Sequence, residues 1–371
     1  MHQKNHRNDT CNQNERLHYI DTARGFALLC LVAGHIVTGN SFLFNWIFSF
    51  HMPLFFFLAG MCAKKPSVRF FPYLKKRAQK RLLPYYIIVA AGLLICMLIP
   101  SCRRVILADG LSVQAKHILL LMSPINLYIG QVWFLASLFW AEIYFYLWYG
   151  LCGTRGILPQ LSAAALFAVL ARNLWRLQAF LPATPGRLPF HMDSAYMGAF
   201  CYILGFLARM YGIPERLLIP RKSHKEKRKT SSASADRRRI WLILLMLSVN
   251  LYFGPFLNGY VNMCDLVFGN IFYYLTAMIT GIAAIVLMSL SLGKCSLPEW
   301  YGRHSLPLFA SHTFLIYLVR HWVSVIYGVQ YTMMVDVPGT VAAGMTGAVL
   351  ILFLGVGMGY DWMAEKIKFV K

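Results

Sequence analysis

The stretch Tyr19-Ile20-Asp21-Thr22-Ala23-Arg24-Gly25-Phe26-Ala27-Leu28-Leu29-Cys30-Leu31-Val32-Ala33-Gly34-His35 decides the fold. Its length and apolar content suit a helix that crosses a bilayer, yet it holds an acid, a guanidinium and an imidazole. Ionisable side chains are costly in hydrocarbon, and where they occur they mark functional positions. Arg24 and His35 are eleven residues apart. At about 100° per residue they come within about 20° of three full turns, so they share a face, roughly 16 Å apart along the axis. Asp21, three residues before Arg24, lies on that face too.

The rest of the chain repeats the apolar theme. Of 371 residues, 58% are hydrophobic and 13% charged, against about 25% charged in soluble domains. This composition predicts an all-α, polytopic membrane bundle rather than a soluble core. The formal net charge of +22 sits mainly in a few connections, with no nucleic-acid recognition motif beside it, which argues against nucleic acid as a partner. The nine cysteines form no C-x-x-C pair, so no metal site or dithiol motif is expected. The first apolar run reads as a retained span rather than a cleaved signal.

Hydropathy predicts about ten transmembrane helices, near 18–39, 42–63, 82–100, 131–152, 158–176, 193–211, 240–258, 269–291, 304–328 and 340–363. They form an integral membrane domain over 18–363, between a tail at 1–17 and a tail at 364–371. Alternate connections, counted from the N-terminus, hold 28 Lys and Arg on one side and 6 on the other. Positive residues stay cytoplasmic. Both termini are therefore expected inside, in a multi-pass protein of the cell inner or plasma membrane that has the lipid bilayer itself as a partner.

Two basic connections differ in character. Residues 221–239 read as a disordered polybasic loop suited to anionic lipid. Residues 64–81 end in Lys75-Lys76-Arg77-Ala78-Gln79-Lys80-Arg81. Arg77 and Arg81 share a helical face and could grip a phosphorylated ligand. Positive-inside topology accounts for the same charge equally well.

Further polar residues fall within spans. His51 lies on the second span, which runs back against the first, at a depth similar to that of His35. Pro53 just beyond it can kink the helix beside a cavity. Glu142, His191, Asp193, His312, Arg320 and His321 are further candidates, and for each a packing role weighs as much as a chemical one. His35 is different, because it titrates near neutrality and shares its face with Arg24. It could act as a general base on a hydroxyl attacking an acyl carbon, or carry the acyl group as an acyl-imidazole. No serine nucleophile in a G-x-S-x-G setting competes with it.

Ile20-Asp21-x-x-Arg24-Gly25 leading to Gly34-His35 resembles the hallmark of the acyltransferase 3 family of membrane acyltransferases: an arginine, ten residues, then a histidine. Phe50-His51-Met52-Pro53-Leu54-Phe55-Phe56-Phe57-Leu58-Ala59-Gly60 is similar to the second motif of its fucose 4-O-acetylase-like branch. Lys76-Arg77-x-x-Lys80-Arg81-Leu82-Leu83-Pro84 resembles the basic motif that follows. Trp133-Phe134-Leu135 and Tyr301-Gly302-Arg303-His304-Ser305-Leu306, with His312 after it, resemble weaker signatures.

The resemblance implies an acyl-CoA-dependent O-acyltransferase, usually an O-acetyltransferase. Acetyl-CoA would be the donor substrate, a carbohydrate hydroxyl at or beyond the membrane the acceptor, and no cofactor is tightly bound. It implies catalytic roles for His35, Arg24 and Asp21, and acyl-CoA binding by Lys76, Arg77, Lys80 and Arg81. The usual R-x-x-R appears here as Arg77-x-x-Lys80 or Arg77-x-x-x-Arg81, so which cation holds the CoA phosphates stays open. His51, Glu142, Asp193 and His312 are then expected to line the substrate site. Two other readings stand beside this one: a flippase for a lipid-linked sugar with intramembrane His and Asp as a proton relay, and a scaffold recruiting a partner through 221–239.

Overall fold

The computed structural model describes residues 17–37, 41–120, 132–178, 188–218, 231–328 and 337–369. Among these the protein is all-α, with one isolated antiparallel bridge between Asn262 and Val267. The helices are α1 His18–Ile36, α2 Phe42–Phe48, α3 His51–Met61, α4 Phe70–Leu98, α5 Pro100–Asp109, α6 Leu111–Leu119, α7 Trp133–Cys152, α8 Ile157–Gln178, α9 Ser194–Met210, α10 Ile213–Leu218, α11 Ser231–Leu251, α12 Ile271–Leu292, α13 Ser296–Arg303, α14 Ser305–Tyr327 and α15 Gly339–Phe369. A π-helical turn, Tyr252–Asn258, extends α11.

Six helical segments among the described residues are long and apolar enough to cross a membrane: Phe42–Met61, Phe70–Leu98, Ile157–Leu174, Arg237–Asn258, Ile271–Leu292 and Gly339–Lys366. The other four expected spans coincide with α1, α7, α9 and α14. α9 has only 17 residues. The other three carry the polar residues singled out above, or many indole and phenol rings, and these lower their hydropathy.

Several boundaries differ from the hydropathy reading. The second span is broken at Ser49-Phe50 into α2 and α3. The proline explains where: Pro53 lacks an amide hydrogen and its ring crowds the carbonyl four residues back, which is that of Ser49. The Ser49 hydroxyl meanwhile turns back onto the Trp46 carbonyl at 2.7 Å. The basic segment before residue 82 is not a loop but the first turns of α4, with Pro84 inside the helix. Residues 101–117 are largely α5 and α6 rather than a connection. Residues 231–239, read as part of a disordered loop, are the start of α11, and the tail expected from 364 is helical to Phe369. In each case a helix once nucleated continues outward at little cost, because each added residue brings its own hydrogen bond. Residues 221–230 and 1–16 lie outside the described residues.

Close backbone packing holds the centre. A Cβ at Gly25 would meet the Pro298 carbonyl, and one at Gly302 would meet the Asp21 carbonyl, so α1 and α13 touch backbone to backbone at two points. Gly60 and Gly205 do the same for α3 and α9, against the carbonyls of Tyr202 and Phe57. Small residues at helix crossings permit this approach where no hydrophobic force from water drives association.

Candidate active site

Three histidines from three helices converge. The ring of His35, near the end of α1, lies 5.2 Å from that of His312 on α14. Phe48 is shared between His35, at 6.1 Å, and His51 at the start of α3, at 4.8 Å. His51 and His312 are buried, whereas His35 keeps partial access. Phe309 packs on His312 at 5.5 Å and on Phe134 of α7 at the same separation, so α7 closes one side of the cluster.

Backbone contacts settle the proton positions on two rings. His51 Nδ1 lies 2.8 Å from the Ile47 carbonyl, and His312 Nδ1 lies 2.5 Å from the Phe309 carbonyl. A carbonyl only accepts, so each Nδ1 carries hydrogen and donates. Each Nε2 is left as the acceptor. That of His312 receives the Thr313 hydroxyl at 3.2 Å. Of these two rings, His51 is the one left to offer its Nε2 lone pair to a hydroxyl or an N–H within the cluster.

At the other end of α1, the Arg24 guanidinium donates to Asp21 Oδ1 at 3.0 Å and to Cys62 Sγ, past the end of α3, at 3.2 Å. The face between Arg24 and His35 is not an open track. Leu28 and Leu31 fill it and are each 1% exposed. Partial access lies on α3 instead. Phe55 and Ala59 are partly exposed and Cys62 is exposed, and their spacing of four and three residues makes one stripe. Phe55 meets Phe134 of α7 at 5.8 Å, while Cys62 meets Arg24 of α1. The stripe thus runs from the histidine cluster to the Asp21–Arg24 pair.

The basic motif is divided by the helix that carries it. Tyr73, Arg77 and Arg81 recur every fourth residue and face α7, while Lys76 and Lys80 point outward and are exposed. Arg81 forks onto the buried Glu142 carboxylate, with Nε–Oε2 at 3.2 Å and Nη2–Oε1 at 2.8 Å. Arg77 adds Nη1–Oε1 at 3.1 Å and lies 4.7 Å over the Tyr73 ring. Glu142, expected with His51, Asp193 and His312 at the substrate site, thus meets the basic face of α4 rather than the histidines. Two guanidiniums claim its carboxylate, because a carboxylate buried in a bundle needs such partners. Two cations on one anion leave a positive charge over, and Arg77 Nε has no hydrogen-bond partner among the described residues.

Asp193 is also held locally. Its Oδ1 accepts the Ser194 amide at 2.8 Å, capping α9. Before it, Phe190 and His191 both have positive φ, 64° and 52°, an uncommon backbone for bulky residues. His191 stands 6.1 Å from Trp133. His321 lies 6.5 Å from Tyr317 on its own helix. The arrangement thus brings His35, His51 and His312 together, keeps Asp21 and Arg24 as a separate pair, and assigns Glu142 to the basic motif.

Sequence reasoning missed Arg320 as a neighbour of α1. Its guanidinium is buried and donates to the Ile36 carbonyl at 2.5 Å. The only signal was the charge itself within an apolar span.

Neither a curated protein nor a solved structure matches the chain. The family model described as an acyltransferase domain matches residues 17–356, from the start of α1 into α15, and so takes in the histidine cluster, the Asp21–Arg24 pair and the basic face of α4. The chain belongs to the acyltransferase 3 family of membrane acyltransferases.

Proposed function

We propose that the protein is an O-acyltransferase that moves an acyl group, acetyl by preference, from acyl-CoA to a hydroxyl of a cell-surface or lipid-linked carbohydrate. The observation that carries this reading is the convergence of His35, His51 and His312 at one end of α1. The family supplies the reaction class. The cluster supplies a base where a hydroxyl can be held, and the α3 stripe supplies a route to it.

In this proposal the chain crosses a cell membrane ten times with both termini in the cytoplasm. The donor binds from that side, with its phosphates near Arg77, Arg81, Lys76 and Lys80. Arg77 and Arg81 would turn part of their hydrogen bonding from Glu142 to phosphate, which suits the unmatched positive charge there. The pantetheine arm passes Arg24 and follows Cys62, Ala59 and Phe55 to the histidines. That path spans about 10 Å from Cys62 to Phe55, the scale of an extended arm.

At the cluster the acceptor oxygen attacks the thioester carbonyl carbon. His35 takes the hydroxyl proton as the carbon–oxygen bond forms. The carbon–sulfur bond then breaks, and the proton passes to the departing CoA sulfur. His51, with Nε2 as acceptor, orients the hydroxyl, and His312, whose Nε2 is taken by Thr313, packs against the His35 ring. Asp21 holds the Arg24 guanidinium at the mouth of the route.

The test supplies membranes with acetyl-CoA labelled in the acetyl group and identifies the glycan that gains label. His35→Ala is expected to abolish labelling while the protein stays in the membrane. Near-normal labelling by that variant would sink the mechanism. Movement of a lipid-linked sugar that needs no acyl-CoA would replace it with the flippase reading.

A further inference from the structure

Arg320 has no part in the reaction just described, yet it is among the largest fully buried side chains of the protein. A buried guanidinium is stable only where strong acceptors meet it. One of these is the carbonyl of Ile36, the final residue of α1. The last carbonyls of a helix have no partner within it, and they carry the negative end of its dipole. Among the described residues, which reach Val37 here, no αL glycine closes α1. Val37 is already extended, and its amide reaches back to Ala33. Arg320 therefore caps the last carbonyl of α1 from a different helix.

The position of that cap matters. Ile36 follows His35 directly, and Arg320 lies eight residues beyond His312 on the same α14. Helical side chains lean back toward the N-terminus, so Arg320 leans toward the histidine level. One side chain thereby ties the end of α1 to the helix that carries the partner of His35. The rings of His35 and His312 are 5.2 Å apart, a separation that a small slide of either helix would change.

We propose that Arg320 is a positioning residue: by capping α1 at Ile36 it fixes the register of His35 against His312. This rests on the reading of His35 as the reacting histidine, and the test separates the two. In the full-length protein, Arg320→Met and Arg320→Lys are compared with the parent for acetyl transfer at saturating donor and for donor KM. The structure predicts a fall in kcat of about tenfold or more for Arg320→Met, since misplacing a reacting group by about 1 Å is costly. Donor KM should stay unchanged, and Arg320→Lys should fall between.

The second readout needs no activity. His35→Cys and His312→Cys are paired, and the yield of a short bifunctional thiol crosslink between them is read by peptide mass spectrometry. Adding Arg320→Met should lower that yield by about threefold or more, because the pair is no longer held to a fraction of an ångström. An unchanged yield together with unchanged kcat per folded molecule overturns the proposal, even if protein abundance falls. If Arg320→Met does not accumulate, Arg320→Lys carries the same comparison with the same overturning result. If His35→Ala still transfers acetyl, the site reading fails, and the crosslink yield alone decides whether Arg320 sets the register.

Discussion

The centre and the rim of this bundle are made of equally helical sequence but use it differently. In an 18-residue apolar window of Phe42–Met61, at the centre, 61% of residues are buried, whereas in such windows of Arg237–Asn258 and Phe70–Leu98 the shares are 11% and 17%. Rim helices present Leu, Ile and Phe outward: Leu94 and Leu98 on α4, Trp241 and Leu245 on α11, Ile351 and Met358 on α15. Beside lipid this costs nothing, since acyl chains are as apolar as leucine. Central helices instead trade apolar bulk for glycine contacts, histidines and paired charges. Hydropathy finds spans in both regions, and the polar residues inside them mark the centre.

The largest expected effect belongs to the cluster. His35→Ala should lower acyl transfer by about 10²–10⁴-fold, the scale of a lost general base, with membrane abundance unchanged by immunoblot. A comparable loss from any rim substitution would erase the contrast between the two regions.

Next comes Glu142, which joins them. Glu142→Gln removes the carboxylate charge that meets both Arg77 and Arg81. Breaking a buried pair from one side costs about 3 kcal/mol, and partial exposure of both arginines reduces this. The thermal midpoint in lipid nanodiscs should drop, and Glu142→Asp should recover part of it. A midpoint equal to the parent's would mean that water, not Glu142, balances the arginines.

Gly60→Val tests backbone packing at the centre. Its side chain would be driven into the Tyr202 carbonyl, and overpacking of this kind costs about 1–3 kcal/mol. The same thermal assay reads it. The smallest effect is expected at the rim: Leu94→Val should stay within about 0.5 kcal/mol of the parent, as for other positions away from packed features. If Leu94→Val and Gly60→Val were equally harmful, the rim would not be lipid-facing as described.

Much of the centre was legible from its offending residues. Asp21, Arg24 and His35 announced themselves by cost, and the short connection after α1 put His51 beside them. The all-helical bundle followed from long apolar runs. What stayed hidden was pairing between distant segments. Nothing local says that His312 rather than Glu142 meets His35, or that Glu142 is held by Arg77 and Arg81. Those choices depend on which helices pack together, and helix faces alone do not reveal that. The shared face of Arg24 and His35 does not say what lies between them, which is buried Leu28 and Leu31. Boundaries erred where charge was read as loop: at the start of α4 and of α11, basic side chains ride on helices that simply run past the apolar zone.

The paired contacts of Gly25 with Pro298 and of Gly302 with Asp21 carry one more consequence. α1 leaves the ribosome well before α13, which begins about 260 residues after α1 ends. The helix bearing Asp21, Arg24 and His35 therefore waits through most of synthesis without the neighbour against which its backbone finally rests. A charged segment must be tolerated in or beside the bilayer until late helices arrive. Synthesis and assembly run in opposite orders here: α1 is made before α13 yet takes its seat only against it.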